Sequence, residues 1–165
     1  MRKTIVGGVG VAAGLAMMAG AAFAADPIKV GLLEDVSGDL GVIGIPKLHG
    51  SQLAAKEINE AGGILGRPIE LIHLDPQGDN RRYQEFARRL LQRDNVDVLI
   101  GGITSASREA LRPLVNRFDA LYFYTNQYEG GVCDANMISV GAVPEQQFST
   151  LIPYMVERFG GRVYT

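Results

Sequence analysis

Two short segments gather hydrogen-bonding side chains at points where a backbone would leave a buried strand. Gly101-Gly102-Ile103-Thr104-Ser105-Ala106-Ser107 passes through two glycines and three hydroxyl residues into a helical pattern. Such a turn presents backbone amides and a hydroxyl to a small polar ligand; by the same chemistry, Ser105 or Ser107 simply caps the helix that follows. Tyr124-Thr125-Asn126-Gln127-Tyr128-Glu129 is denser in donors and acceptors than a loop needs. Aromatic walls with a few aimed polar groups suit a small-molecule pocket, and the alternative task of Tyr128 and Glu129 is to hold the loop.

Catalytic groups are not gathered in this way. His49 and His73 stand far apart and read as structural or exposed, with no His, Cys and carboxylate spacing suited to zinc. Asp35, Ser37 and Asp39 alternate like the start of a calcium loop, but the later ligands do not follow. There is no phosphate-binding loop and no serine in a nucleophile elbow. Cys133, the single cysteine, lacks an evident activating partner and reads as packed, or as bonded to a cysteine elsewhere. The expectation is a binding protein and not an enzyme, with no metal and no cofactor.

The elements that must position these segments alternate in type. Ile28–Leu33, Ile69–Leu74, Val96–Ile100, Leu121–Tyr124 and Ile138–Gly141 read as strands, and Arg162–Thr165 starts another. Helices are expected from about Pro46 to Ala61, after a glycine-rich turn through Ser37, Gly38, Gly41 and Gly44, and over Arg81–Asp94, Ser105–Phe118 and Gln146–Phe159. In the second, Tyr83, Phe86, Ala87, Leu90 and Leu91 form an apolar stripe opposite a solvated face of arginines; in the last, Phe148, Leu151, Ile152, Met155, Val156 and Phe159 should point inward. Strand–helix units this short predict an α/β fold, a doubly wound parallel sheet with helices on both faces. Ligands in such sheets lie beyond the carboxyl ends of the strands, which leaves four candidate loops: 34–44, 75–80, 101–107 and 125–131.

Ahead of these units, Arg2 and Lys3 precede an apolar, glycine-studded stretch to Ala22 and then Ala22-Phe23-Ala24, the pattern of a secretory signal peptide over residues 1–24 cut after Ala24. No cysteine follows the apolar run, so the expectation is export to the periplasm without a lipid anchor. Removing the leader takes the basic residues from 16 to 14 against 18 acidic ones, and the formal charge from −2 to −4. Such a surface does not invite nucleic acid.

Several stretches carry a family likeness: Ala54-Ala55-Lys56-Glu57-Ile58-Asn59-Glu60-Ala61-Gly62-Gly63-Ile64-Leu65-Gly66-Arg67-Pro68-Ile69, Asp75-Pro76-Gln77-Gly78-Asp79, Thr104-Ser105-Ala106-Ser107-Arg108 and Tyr124-Thr125-Asn126-Gln127-Tyr128-Glu129-Gly130. From about Ile28 onward the chain resembles type I periplasmic substrate-binding proteins of the branched-chain amino acid and amide transporter group, and its last stretch resembles the urea and short-chain amide branch. The resemblance implies a two-lobed protein that closes on a small solute and delivers it to an inner-membrane ABC permease. Residues 25–165 would then be part of the N-terminal lobe, with the C-terminal lobe and hinge lying outside the chain. It further implies that Ser105, Tyr124 and Asn126 line the ligand site, with Ile103 facing the pocket beside Thr104; Asn126 stands where relatives carry a hydroxyl residue. Urea or a short amide is the expected ligand, the alternatives being a branched-chain amino acid or the sensing domain of a signalling protein.

Overall fold

The computed structural model describes residues 26–161; the leader assigned to 1–24 and the strand start expected at 162–165 lie outside them. Strands β1 (Ile28–Leu33), β2 (Ile69–Leu74), β3 (Val98–Gly101) and β4 (Leu121–Tyr124) alternate with helices α1 (Gly41–Glu60), α2 (Asn80–Gln92) and α3 (Ser105–Arg117). An irregular segment leads to β5 (Met137–Ser139) and then α4 (Pro144–Phe159). The sheet runs β2-β1-β3-β4-β5, and its strand pairs are parallel.

This order follows from the crossover rule. The chain steps from β1 outward to β2, then back past β1 to β3 and on to β4, so right-handed crossovers put α1 on one face and α2 and α3 on the other. On the second face α2 and α3 lie against each other. There Tyr83, Ala87 and Leu90 of α2 and Leu111, Leu114 and Val115 of α3 meet Leu33, Leu99, Tyr122, Tyr124 and Met137 of the strands in one apolar core. The stripe read from the sequence is the buried one, and Arg81, Arg82, Arg88, Arg89 and Arg93 are solvated. Asp79 starts α2 by accepting from the backbone N–H groups of Arg81 and Arg82 at 2.7 and 3.3 Å.

Two expectations need correction. The glycine-rich turn is shorter than expected, because α1 begins at Gly41 and takes in Gly44 and Pro46. Gly44 explains the early start: a Cβ there would fall 1.8 Å from the Asp35 carbonyl oxygen, so only glycine lets the first turn of α1 lie against the chain leaving β1. Pro46 forfeits one intrahelical bond at that end. In α4 the inward stripe is not buried. No residue of the helix is, and Phe159 is 70% exposed, because no described element lies across that face.

Candidate functional site

The carboxyl ends of β1, β3 and β4 converge, and their glycines allow it. Gly101 and Gly102 have φ of 135° and 82°, and a Cβ on Gly101 would fall 2.2 Å from the Leu33 carbonyl oxygen. The chain can therefore turn sharply out of β3 beside the end of β1 and start α3 at once. Thr104 caps α3 in a reciprocal arrangement: its hydroxyl oxygen accepts from the Ser107 N–H at 3.0 Å, while Ser107 Oγ accepts from the Thr104 N–H at 3.2 Å. Of the two caps the sequence offered, Ser107 takes part and Ser105 does not, and the N-cap itself is Thr104, which the sequence reading had placed in the site.

Three of the five residues singled out from the sequence meet at one carbonyl, while Ser105 bonds Glu129 and Arg108 and Thr104 bonds Ser107. The oxygen of Ile103 accepts from Tyr124 Oη at 3.0 Å and from Asn126 Nδ2 at 2.5 Å. Tyr124 is fully buried, and the Ile103 side chain is buried as well, not turned toward solvent. Asn126 and Ser105 are half-buried, and Thr104 is exposed.

Sequence reading missed the charged groups beneath them. Arg108, one turn into α3 from Ser105, is fully buried. Its guanidinium lies 5.2 and 5.6 Å from the ring centres of Tyr124 and Tyr128, and forms a fork onto Glu129 with Nη2–Oε1 at 2.5 Å and Nη1–Oε2 at 3.2 Å. Ser105 Oγ donates to Glu129 Oε2 at 2.5 Å. The Arg108 bond, followed by the Ser105 bond, holds the Glu129 carboxyl down to about 2. The loop-holding alternative for Glu129 and Tyr128 is thus what the structure contains. An arginine spaced i+3 from a candidate serine was the available signal, but it resembles any helix-surface arginine.

A second charged group sits below β1. Burial pushes the Glu34 carboxyl up to about 7, against the pull of Lys47, whose Nζ lies 2.9 Å away. Lys47 also donates to the Gly102 carbonyl at 2.8 Å, so α1 ties the ends of β1 and β3 together. Asp35, fully buried, accepts from Tyr83 Oη at 2.7 Å and from the Gly78 N–H at 2.8 Å. His73 Nε2 lies 2.9 Å from the Glu34 carbonyl, which can only accept, so that nitrogen carries the proton. Beside this network, a cleft of about 350 Å³ is lined by Glu34, Lys47, Gly50, Ser51, Ala54, Ile100 and Thr125. Cys133 is exposed in the irregular segment before β5, and so is not the packed residue one alternative expected.

Among the described residues this arrangement gathers hydrogen-bonding groups, two aromatic rings and compensated charge at the carboxyl ends of the strands, and the cleft beside it is lined by none of the five residues singled out from the sequence.

The chain is 32% identical over 125 residues to the Leu/Ile/Val-binding protein homolog 7 of Brucella melitensis, an alignment covering 76% of this chain and 31% of the relative. It is 35% identical over 99 residues to the Leu/Ile/Val-binding protein homolog 8 of Brucella suis, covering 59% of this chain and 24% of that one. Among solved structures, an ABC transporter substrate-binding protein from Sphaerobacter thermophilus superposes with a TM-score of 0.70 at 28% identity, covering 82% of this chain and 38% of the other. The chain thus spans about a third of the length of the first of these relatives. The family described as periplasmic binding protein matches residues 27–165, and the chain belongs to that family.

Proposed function

We propose that this chain forms part of the N-terminal lobe of a solute-binding protein serving an ABC transporter, and that its solute is a branched-chain amino acid. The observation that carries this reading is the polar cluster at the ends of β3 and β4, in a chain whose 32%-identical relative is named for leucine, isoleucine and valine. Urea and short amides, expected first from the Tyr124–Gly130 stretch, find no support in these relatives' names, and the amino acid alternative takes precedence. The working place is the periplasm, reached through the leader over 1–24, and the partner is an inner-membrane permease. Binding, not turnover, is the activity.

Calorimetry on the full-length protein, with leucine, isoleucine, valine, urea and acetamide, tests the ligand. Saturable binding of at least one of the three amino acids is expected. Binding of urea or acetamide with no response to the amino acids would overturn the assignment and restore the amide branch.

A further inference from the structure

Lys47 Nζ stands between two acceptors that follow different strands. It lies 2.9 Å from Glu34 Oε2, past the end of β1, and donates at 2.8 Å to the Gly102 carbonyl, past the end of β3. The contact with Glu34 is close but off the line of a hydrogen bond, so among the described residues that oxygen, closed to solvent, has only charge attraction to set against its burial. Its carboxyl is accordingly pushed up to about 7. The other ionisable groups around it bring no relief. Asp35, next in the chain, adds a like charge; the phenols of Tyr83 from α2 and Tyr122 from β4 are pushed up by burial and stay neutral; His73 on β2 bonds the Glu34 main-chain carbonyl and not its side chain. The Gly102 carbonyl that Lys47 holds precedes Ile103, whose own carbonyl gathers Tyr124 and Asn126. The turn out of β3 is thus pinned from α1 on one side and from the end of β4 on the other.

We propose that Glu34 and Lys47 form a proton-sensitive latch that positions the turn out of β3, and that solute binding expels the proton from Glu34. The inference rests on the proposed function, in which the solute meets the carboxyl ends of β3 and β4. With both groups charged, Lys47 stays between its two acceptors and ties α1 to the turn. Once Glu34 takes a proton, Lys47 keeps only the Gly102 carbonyl, a poor exchange for water at an ammonium. The cleft beside it gives it room to leave, since a Cβ on Gly50, one of the lining residues, would meet nothing within 4 Å. The turn then loses its tie to α1. The solute binds the tied form more tightly, and reciprocity requires that it lower the proton affinity of Glu34 in return. Lys47 and Glu34 are positioning residues here.

The test is calorimetry on the full-length protein with leucine, isoleucine, valine, urea and acetamide, in buffers of different ionisation enthalpy, so that the protons released per solute bound are counted. Wild type should release about half a proton at about pH 7, and its affinity should fall about tenfold from about pH 8 to about pH 6, as the ionised fraction of Glu34 does. Glu34→Gln should bind at the weak level throughout and release none. His73 and Asp35 are kept in this variant, so a slope that survives in it belongs to another group and overturns the proposal. Lys47→Met should also be weak and flat, because Glu34 without its cation stays protonated, whereas Lys47→Arg keeps a cation for both acceptors and should restore the slope. A purely structural pair would weaken binding equally at every pH, with wild type releasing no proton; that result overturns the latch and leaves the solute assignment standing. Binding of none of the five probes removes the assignment and the latch with it. Should Glu34→Gln fail to fold, the wild-type proton count and Lys47→Met still decide. A count near zero, or a slope that persists without Lys47, overturns the inference.

Discussion

Glu34 leaves β1 into a nearly dry environment, 1% exposed, where burial moves its carboxyl from an ordinary value of 4.5 to about 7 in spite of Lys47. The folded protein therefore keeps a proton there that the unfolded chain releases. This group's contribution to stability is full below 4.5 and is lost as pH rises through about 7. Glu34→Gln should flatten that slope: between about pH 5 and 8 the wild type should lose on the order of 1–3 kcal/mol more than the variant, read from urea unfolding at each pH. Equal slopes would mean that Glu34 does not titrate in this window. A neighbouring test concerns Asp35, which has Tyr83 Oη as one of two donors to a fully buried carboxylate. Tyr83→Phe removes that donor while keeping the ring, and should cost about 1.5–3 kcal/mol in the same assay; a change below about 0.5 kcal/mol would show that the bond contributes little. At this scale the sequence exposed only part of the candidate cluster. Its two strand-end loops stood out for their polar and aromatic side chains, and the resemblance named Ser105, Tyr124 and Asn126 within them, whereas Arg108, Glu34 and Asp35 were not visible, because whether a charge is buried depends on partners from other elements, Glu129, Lys47 and Tyr83.

Strands and helices were more legible than the charges, and unevenly so. β1, β2 and β4 have the bounds read from their apolar runs, since short runs flanked by turn residues leave a strand little room to extend. The start of α1 was misread because Gly41 and Gly44 look locally like a turn and Pro46 like a first helical residue, while the contact that makes Gly44 necessary, with the Asp35 carbonyl, is not visible in the local pattern. The periodicity of α4 was read correctly, but a stripe is buried only where another element meets it. For α3 the sequence offered Ser105 or Ser107 as the cap; the structure gives the helix start to Thr104 and Ser107, while Ser105 faces Glu129. Thr104→Ala should therefore destabilise the protein by about 1 kcal/mol, with Thr104→Ser close to neutral, as thermal melting would show. Solute affinity should change by less than about twofold in both, since about 0.4 kcal/mol is the most that so small a change represents. A large loss of affinity with unchanged melting would return Thr104 to the binding residues.

For the described fold as a whole, the two faces of the sheet are unequally covered. Alternation along the strands sends Leu99, Tyr122 and Met137 to the α2 and α3 side, and their neighbours Ile100, Leu121, Phe123 and Ile138 to the side of α1. The first set is buried; of the second, Leu121 and Ile138 are 40% and 42% exposed, because α1 covers only part of that face. α4 adds Phe148, Leu151, Met155, Val156 and Phe159, all exposed. Apolar area on this scale marks an interaction surface or a liability to associate. Residues 25–165 made alone should bind an environment-sensitive hydrophobic dye and self-associate as concentration rises, by light scattering. Phe148→Ser with Met155→Ser should reduce both while changing the unfolding free energy by less than about 0.5 kcal/mol, because neither side chain is buried among the described residues. In the full-length protein the same pair should cost about 2–5 kcal/mol if the rest of the chain covers α4, since each substitution would then leave a cavity. A dispersed, dye-negative preparation of residues 25–165 would show that the face is already covered within this chain and would contradict the exposure of α4.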